Sequence, residues 1–135
     1  MAAGRRSTAG TRRRAEPVRR RRPVFVLHEH RKPQPHFDLR LEERGVLRSW
    51  AVPRGLPTTA RQNRLAIAVP DHDLDHVDYT DDTKFIADTG WWEEESRDDR
   101  RMVFLLHGRE GARRYALIHT GNDWLLHLTN EQPAD

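Results

Sequence analysis

The sequence predicts an all-β domain, a barrel or sandwich of short, mostly antiparallel strands. Three observations point there. Apolar and polar residues alternate in short runs, Gly, Asp, Asn and Pro separate those runs, and no segment carries a sustained helical stripe. VFVLHEH, beginning at Val24, is rich in β-formers, and HFDLRLE from His36 alternates cleanly. VLRSWAVP follows across Glu43, Arg44 and Gly45, so these two runs read as a hairpin. PTTARQNR offers one helical turn. RLAIAVP, TKFIADTG, WWEEE, MVFLLHG, RRYALIHTG and DWLLHLTN continue the series of short strands. No internal repeat and no transmembrane span is present in this pattern.

At 135 residues the chain suits one small domain. A hydrophobic fraction of 36% against 33% charged is polar for a globular protein, so part of the chain is expected outside the core. The absence of cysteine excludes a disulfide scaffold and a thiolate metal site. The net charge of +3 conceals a split: residues 1–22 hold nine arginines and one glutamate, leaving fifteen basic and twenty acidic side chains in the remainder. We therefore expect a disordered arginine-rich arm over 1–22, a folded domain over 23–130 and a short tail over 131–135. The arm lacks the apolar run of a secretory signal. It suits nonspecific, salt-dependent contact with phosphates, and it is equally compatible with a solubilising leader or an organelle transit peptide.

The stretch HEHRKPQPHFDLRLE, from His28 to Glu42, carries the most chemistry. Side chains alternate with period two, so Phe37, Leu39 and Leu41 share one strand face while His36, Asp38 and Arg40 share the other. Val26, His28 and His30 share a face of the preceding strand. If these strands pair across the RKPQP loop, His30 approaches His36 and Asp38. Two imidazoles and one carboxylate form a set suited to a divalent transition metal with positions left open. A histidine and an aspartate two residues apart also fit a solvated strand face, and His30 and Arg40 are what favour a site. Arg40 projects beside Asp38, and a metal next to a guanidinium makes a phosphate site.

These residues carry a resemblance. His30, five residues, then His36-Phe37-Asp38-Leu39-Arg40-Leu41-Glu42, followed by SWAVPRG at 49–55 and RLAIAVPDHDLDH at 64–76, resembles the 3′-phosphoesterase domain of bacterial DNA ligase D, which also occurs as a stand-alone protein. The likeness runs over most of 23–129 and weakens toward WLLHL at 124–128. It implies a small β-barrel that uses manganese or a similar divalent ion to trim DNA 3′ ends, removing a terminal ribonucleoside and then the 3′-phosphate. It places the metal ligands on His30, His36 and Asp38, phosphate contacts on Arg40 and His72, and further catalytic roles on Arg64 and His76. It implies a cytoplasmic, nucleoid-associated bacterial protein, acting on primer-template ends beside a DNA ligase, a polymerase or other end-joining proteins, with no membrane partner.

The chain also departs from the family pattern. His76 stands where a tyrosine is expected, Pro70 where an acidic residue is expected and His28 where a glutamine is expected. The family's PEGxYGxG segment is replaced by DHVDYTDDTKF. Only Glu16 and the arginines loosely match the family's assisting N-terminal residues. A noncatalytic DNA-end or repair-complex binding module is therefore a second reading. HEH and HFD admit a third, a cupin-like or iron-oxygenase β-domain, but HEH lacks a glutamate at the spacing a cupin needs. DHDLDHVDYTDD, residues 71–82, reads as an exposed acidic loop or as a second cation site. His107, His119 and His127 read as surface or structural histidines. Of Trp50, Trp91, Trp92 and Trp124, we expect Trp50 and Trp124 in the core and stacking on bases as the alternative use.

Overall fold

The computed structural model describes residues 21–134, so most of the arginine-rich arm, including Glu16, and the last residue of the tail lie outside the described residues. Eight strands form: β1 (Val24–His30), β2 (His36–Glu43), β3 (Val46–Val52), β4 (Asn63–Asp73), β5 (Lys84–Arg97), β6 (Arg101–Gly108), β7 (Gly111–His119) and β8 (Trp124–Leu128). They close antiparallel into one barrel in the order β1-β2-β3-β4-β8-β7-β6-β5. Closure removes the free edges that an open sheet would offer for aggregation.

The expected hairpin is present. Arg44 and Gly45 both have positive φ, 56° and 83°, the backbone of a two-residue turn whose twist matches the strands it joins. Alternation then sorts the side chains. Phe25, Leu27, Leu39, Leu41, Trp50, Val52, Phe104, Leu117 and Leu126 point inward and form the core. Phe37 packs against that core from its margin. Trp50 is fully buried, and Trp124 meets it edge to face at 5.9 Å from a partly buried position.

Three segments differ from expectation. TKFIADTG and WWEEE are one strand, β5, which runs straight through Gly90. A side chain there would collide with the backbone carbonyl of His107 on β6, so glycine permits close approach and does not mark a turn. PTTARQNR forms tight turns without a helix, closed where Gln62 accepts from the Thr58 amide at 2.7 Å. The acidic run is ordered: Asp71 and Asp73 end β4, Leu74–Asp78 forms a 3₁₀ helix, and Asp81 organises the following turn. Its carboxylates are exposed as expected, and they gather into no cation cluster among the described residues.

The arm's last two residues rest on the barrel. Arg21 makes a two-pronged pair with Glu42 at 2.8 and 3.0 Å, and Arg22 lies 4.1 Å over the Trp91 ring. Among the described residues no helix is long and apolar enough to cross a membrane.

Candidate metal centre

The chemistry of HEHRKPQPHFDLRLE collects on the outward face of the sheet, behind the core-facing leucines. Direct cross-strand pairing sets it in rows. Lys84 on β5, His30 on β1 and His36 on β2 form one row. Ile86, His28, Asp38 and Ala51 form the next, and Val26, Arg40 and Ser49 a third. The 3₁₀ helix packs over β1 and β3. Beneath it Val26, His28, Arg40, Leu47 and Ser49 are buried, outside the barrel interior.

His30, His36 and Asp38 converge at the margin of this roofed face, with one ligand atom from each lying within 4.8 Å of the others. Nδ1 of His30 is 3.7 Å from Oδ2 of Asp38, and Nε2 of His36 is 3.3 Å from Oδ1. Nδ1 of His36 is 2.8 Å from the Gln34 carbonyl, which can only accept, so a neutral ring carries its proton there. Its Nε2 lone pair then faces the carboxylate. Two acceptors at that distance repel unless positive charge sits between them, and a carbonyl that fixes the far nitrogen is the usual support of a ligating histidine. Burial holds the His30 imidazole below its ordinary pKa, and the nearby Lys84 and His36 add to this, so its neutral, ligating form is favoured. The donor set fits a divalent transition metal.

Arg40 forms the floor. Its Nε–H donates to Nδ1 of His28 at 3.1 Å, one Nη1–H to Ser49 Oγ at 3.0 Å and one Nη2–H to Asp38 Oδ2 at 3.2 Å. The guanidinium has five N–H donors, so two remain, on a side chain only 2% exposed. Arg40 was expected to project beside Asp38 as a phosphate clamp. The structure places it beneath the site, where it fixes the Asp38 carboxylate by a buried, charge-assisted bond.

His28 completes this floor. Arginine only donates, so Nδ1 is the acceptor and Nε2–H donates to the Tyr79 carbonyl at 2.9 Å. This tautomer admits no second proton, and burial first, with Arg40 and Lys84 after it, lowers the His28 pKa to about 4 against the pull of the Tyr79 carbonyl. Beside it the rings of His72, His76 and Tyr79 stack at 4.2 and 4.6 Å. Nζ of Lys84 is 3.1 Å from Nε2 of His76 and can only donate to it. Burial, followed by Lys84 and His72, lowers the His76 pKa to about 4.

The structure thus brings His30, His36, Asp38 and Arg40 together, with His72 and His76 in the adjoining ring stack. It does not bring Arg64 among them. Arg64 lines a separate pocket with Pro53, Arg54, Asn63 and Leu65, and its buried Nε has no hydrogen-bond partner among the described residues. Pro70 lies exposed on β4. An open groove of about 350 Å³ adjoins His36, walled by Pro33, Pro35, Ala51 and Pro53. Ser49, Tyr79 and Lys84 were missed from sequence, and His28 was placed on the face of His30 and noted as a departure but given no role in the site. For His28 the shared face with His30 was a usable signal. Lys84 gave none, because nothing local to it fixes which strand β5 would join.

Residues 28–119 match the model of the DNA Ligase D 3′-phosphoesterase domain. The chain is 37% identical over 137 residues to the multifunctional non-homologous end joining DNA repair protein LigD of Mycobacterium tuberculosis, covering 87% of this chain and 18% of that protein. It is 37% identical over 129 residues to the multifunctional non-homologous end joining protein LigD of Mycolicibacterium smegmatis, covering 80% of this chain and 17% of that protein. The same-named protein of Pseudomonas aeruginosa is 31% identical over 110 residues, covering 71% of this chain and 13% of its own. This chain therefore spans less than a fifth of the length of these curated relatives. A family match over most of the chain, on a closed barrel with these motifs in place, establishes that the chain belongs to the DNA ligase D 3′-phosphoesterase domain family.

Proposed function

We propose that this protein is a manganese-dependent phosphoesterase that processes DNA 3′ ends during non-homologous end joining, removing a terminal ribonucleoside and a 3′-phosphate. The convergence of His30, His36 and Asp38 over a buried guanidinium carries the reading. His30 and His36 would hold the ion through imidazole nitrogens and Asp38 through a carboxylate oxygen. When bound, such an ion supplies Lewis acidity and lowers the pKa of water. Arg40 holds Asp38 in place and offers its two remaining N–H groups to a phosphate oxygen. His72, neutral because burial and then Arg40 and Lys84 lower its pKa, offers one N–H to the phosphate or the leaving oxygen. The proline-walled groove beside His36 suits the sugar of the terminal nucleotide. Arg64 and Arg54, in the neighbouring pocket, suit the strand behind it. The protein would act in the cytoplasm at the nucleoid, beside a DNA ligase and a polymerase.

The test is a 3′-end assay on a labelled primer-template ending in a ribonucleotide or a 3′-phosphate, with manganese or with chelator, comparing wild type with His36→Ala. Manganese-dependent shortening or dephosphorylation that the variant lacks supports the reading. Pro70, exposed where the family pattern has an acid, favours a second reading: a DNA-end binding module without turnover. Tight binding of DNA ends by folded, manganese-loaded protein that leaves both ends intact would establish it.

A further inference from the structure

Lys84 stands opposite His30 in the row that continues to His36, so its side chain lies on the face that carries the candidate metal centre. The residue is 8% exposed, and among the described residues no carboxylate comes within ion-pair distance of it. Its contacts are Nε2 of His76 at 3.1 Å and the face of Tyr79, whose ring centroid lies 5.4 Å away. A neutral imidazole uses one of the three ammonium protons, which leaves two donors on a buried positive charge that has no carboxylate in direct contact. Proteins seldom keep a buried cation without a counter-charge, because desolvation costs more than neutral partners return. Arg40 deepens the imbalance. Two buried cations share this face with the single buried carboxylate of Asp38.

From this juxtaposition we infer that Lys84 is a second phosphate-binding cation of the site, oriented by His76, which selects a terminal 3′-phosphate over a 3′-hydroxyl end. The inference rests on the phosphoesterase reading and extends it to the substrate. A terminal phosphate carries up to two charges where a backbone diester carries one, so it gains more from an ammonium placed beside Arg40. Lysine suits that task as a point charge on a flexible stem. Burial and then Arg40 lower its pKa, against the pull of Asp38 and Asp81.

The experiment measures binding of one labelled oligonucleotide duplex, ending in 3′-phosphate or 3′-hydroxyl, by fluorescence anisotropy in chelator. Wild type, Lys84→Met and Lys84→Arg are compared, with thermal unfolding of each. Wild type is expected to prefer the 3′-phosphate. Lys84→Met should lose about tenfold or more of that preference, as expected for one charge-assisted bond. Lys84→Arg should keep most of it. The Met variant should melt no lower than wild type, because a buried charge without a carboxylate partner has been removed. A wild-type preference that survives in Lys84→Met overturns the inference and leaves the phosphoesterase reading standing. A Met variant that fails to fold or melts lower assigns Lys84 to the fold and also overturns it. A wild type that prefers neither end refutes the phosphate site as a whole, so the two failures are distinguishable.

Discussion

His28 makes the stability of this barrel depend on pH in a direction and over a window that the structure fixes. Its ring is 0% exposed, with Nδ1 occupied by the Arg40 N–H and Nε2–H by the Tyr79 carbonyl. The pKa falls from 6.5 to about 4, chiefly through burial. A histidine depressed in the folded state takes up its proton first in the unfolded chain. The stabilisation is therefore complete above pH 6.5 and lost as pH falls from 6.5 toward 4. Across that window the difference amounts to about 3 kcal/mol. The matching variant is His28→Gln. Its amide oxygen can accept from Arg40 and its amide N–H can donate to Tyr79, and it does not titrate. Urea unfolding in chelator at pH 7.5 and pH 4 measures the loss for each protein. Wild type should lose about 3 kcal/mol more than the variant, which separates their midpoint shifts by roughly 1–3 M urea. His76, also lowered to about 4 and in part by His28, titrates in both proteins, so the difference reports the His28 ring together with its coupling to His76. Equal pH dependence in the two would refute the assigned tautomer and the buried Arg40–His28 bond.

Three other perturbations test the site and the frame that holds it. Asp38→Ala should abolish manganese binding in calorimetry, and retained affinity would remove Asp38 from the ligand set. Arg40→Ala takes away three buried hydrogen bonds and leaves the Asp38 carboxylate without its buried partner, so it should cost about 3–5 kcal/mol in denaturant unfolding. A cost under about 1 kcal/mol, as for an exposed phosphate clamp, would contradict the organising role. Gly90→Ala should destabilise by about 1–3 kcal/mol or more, because the added methyl meets the His107 backbone carbonyl, and neutrality would show that β5 and β6 can separate there at little cost.

What could be read from the sequence was what local periodicity decides. The β1–β2 pairing joins neighbours in sequence, and the parity of HFDLRLE leaves one choice of face, so the approach of His30 to His36 and Asp38 follows from the sequence. Contacts that depend on barrel closure did not follow. β5 returns to β1, and β4 pairs with β8, over long separations that alternation alone does not rank. Lys84 was invisible for that reason. Gly90 was misread because glycine also marks turns, and its need for close approach exists only once β6 lies beside it. The acidic run was legible in its exposed carboxylates and illegible in its backbone, where half-buried Leu74 and Val77 belong to the short helix that covers the site.

Distance along the chain likewise hid the relation between two departures from the family pattern. His28, in place of a glutamine, and His76, in place of a tyrosine, meet edge to face at 5.2 Å. A tyrosine would bring a hydroxyl to that position, whereas the neutral His76 accepts a hydrogen bond from the Lys84 ammonium at Nε2 and keeps its own N–H at Nδ1. Donors therefore remain here on the His76 Nδ1–H and on the Lys84 ammonium, which a strand distant in sequence delivers. Meanwhile His28 holds the Arg40 Nε–H and the Tyr79 carbonyl together, two roles that a glutamine amide could also fill. The two substitutions and Lys84 therefore act as one rearranged cluster around an unchanged His30, His36 and Asp38. Pro70 lies outside that cluster, exposed on β4, and no side chain of the cluster restores a carboxylate in its place. His30, His36, Asp38, Arg40 and the Lys84 ammonium thus share one face of the barrel, while the position of Pro70 offers no carboxylate to it.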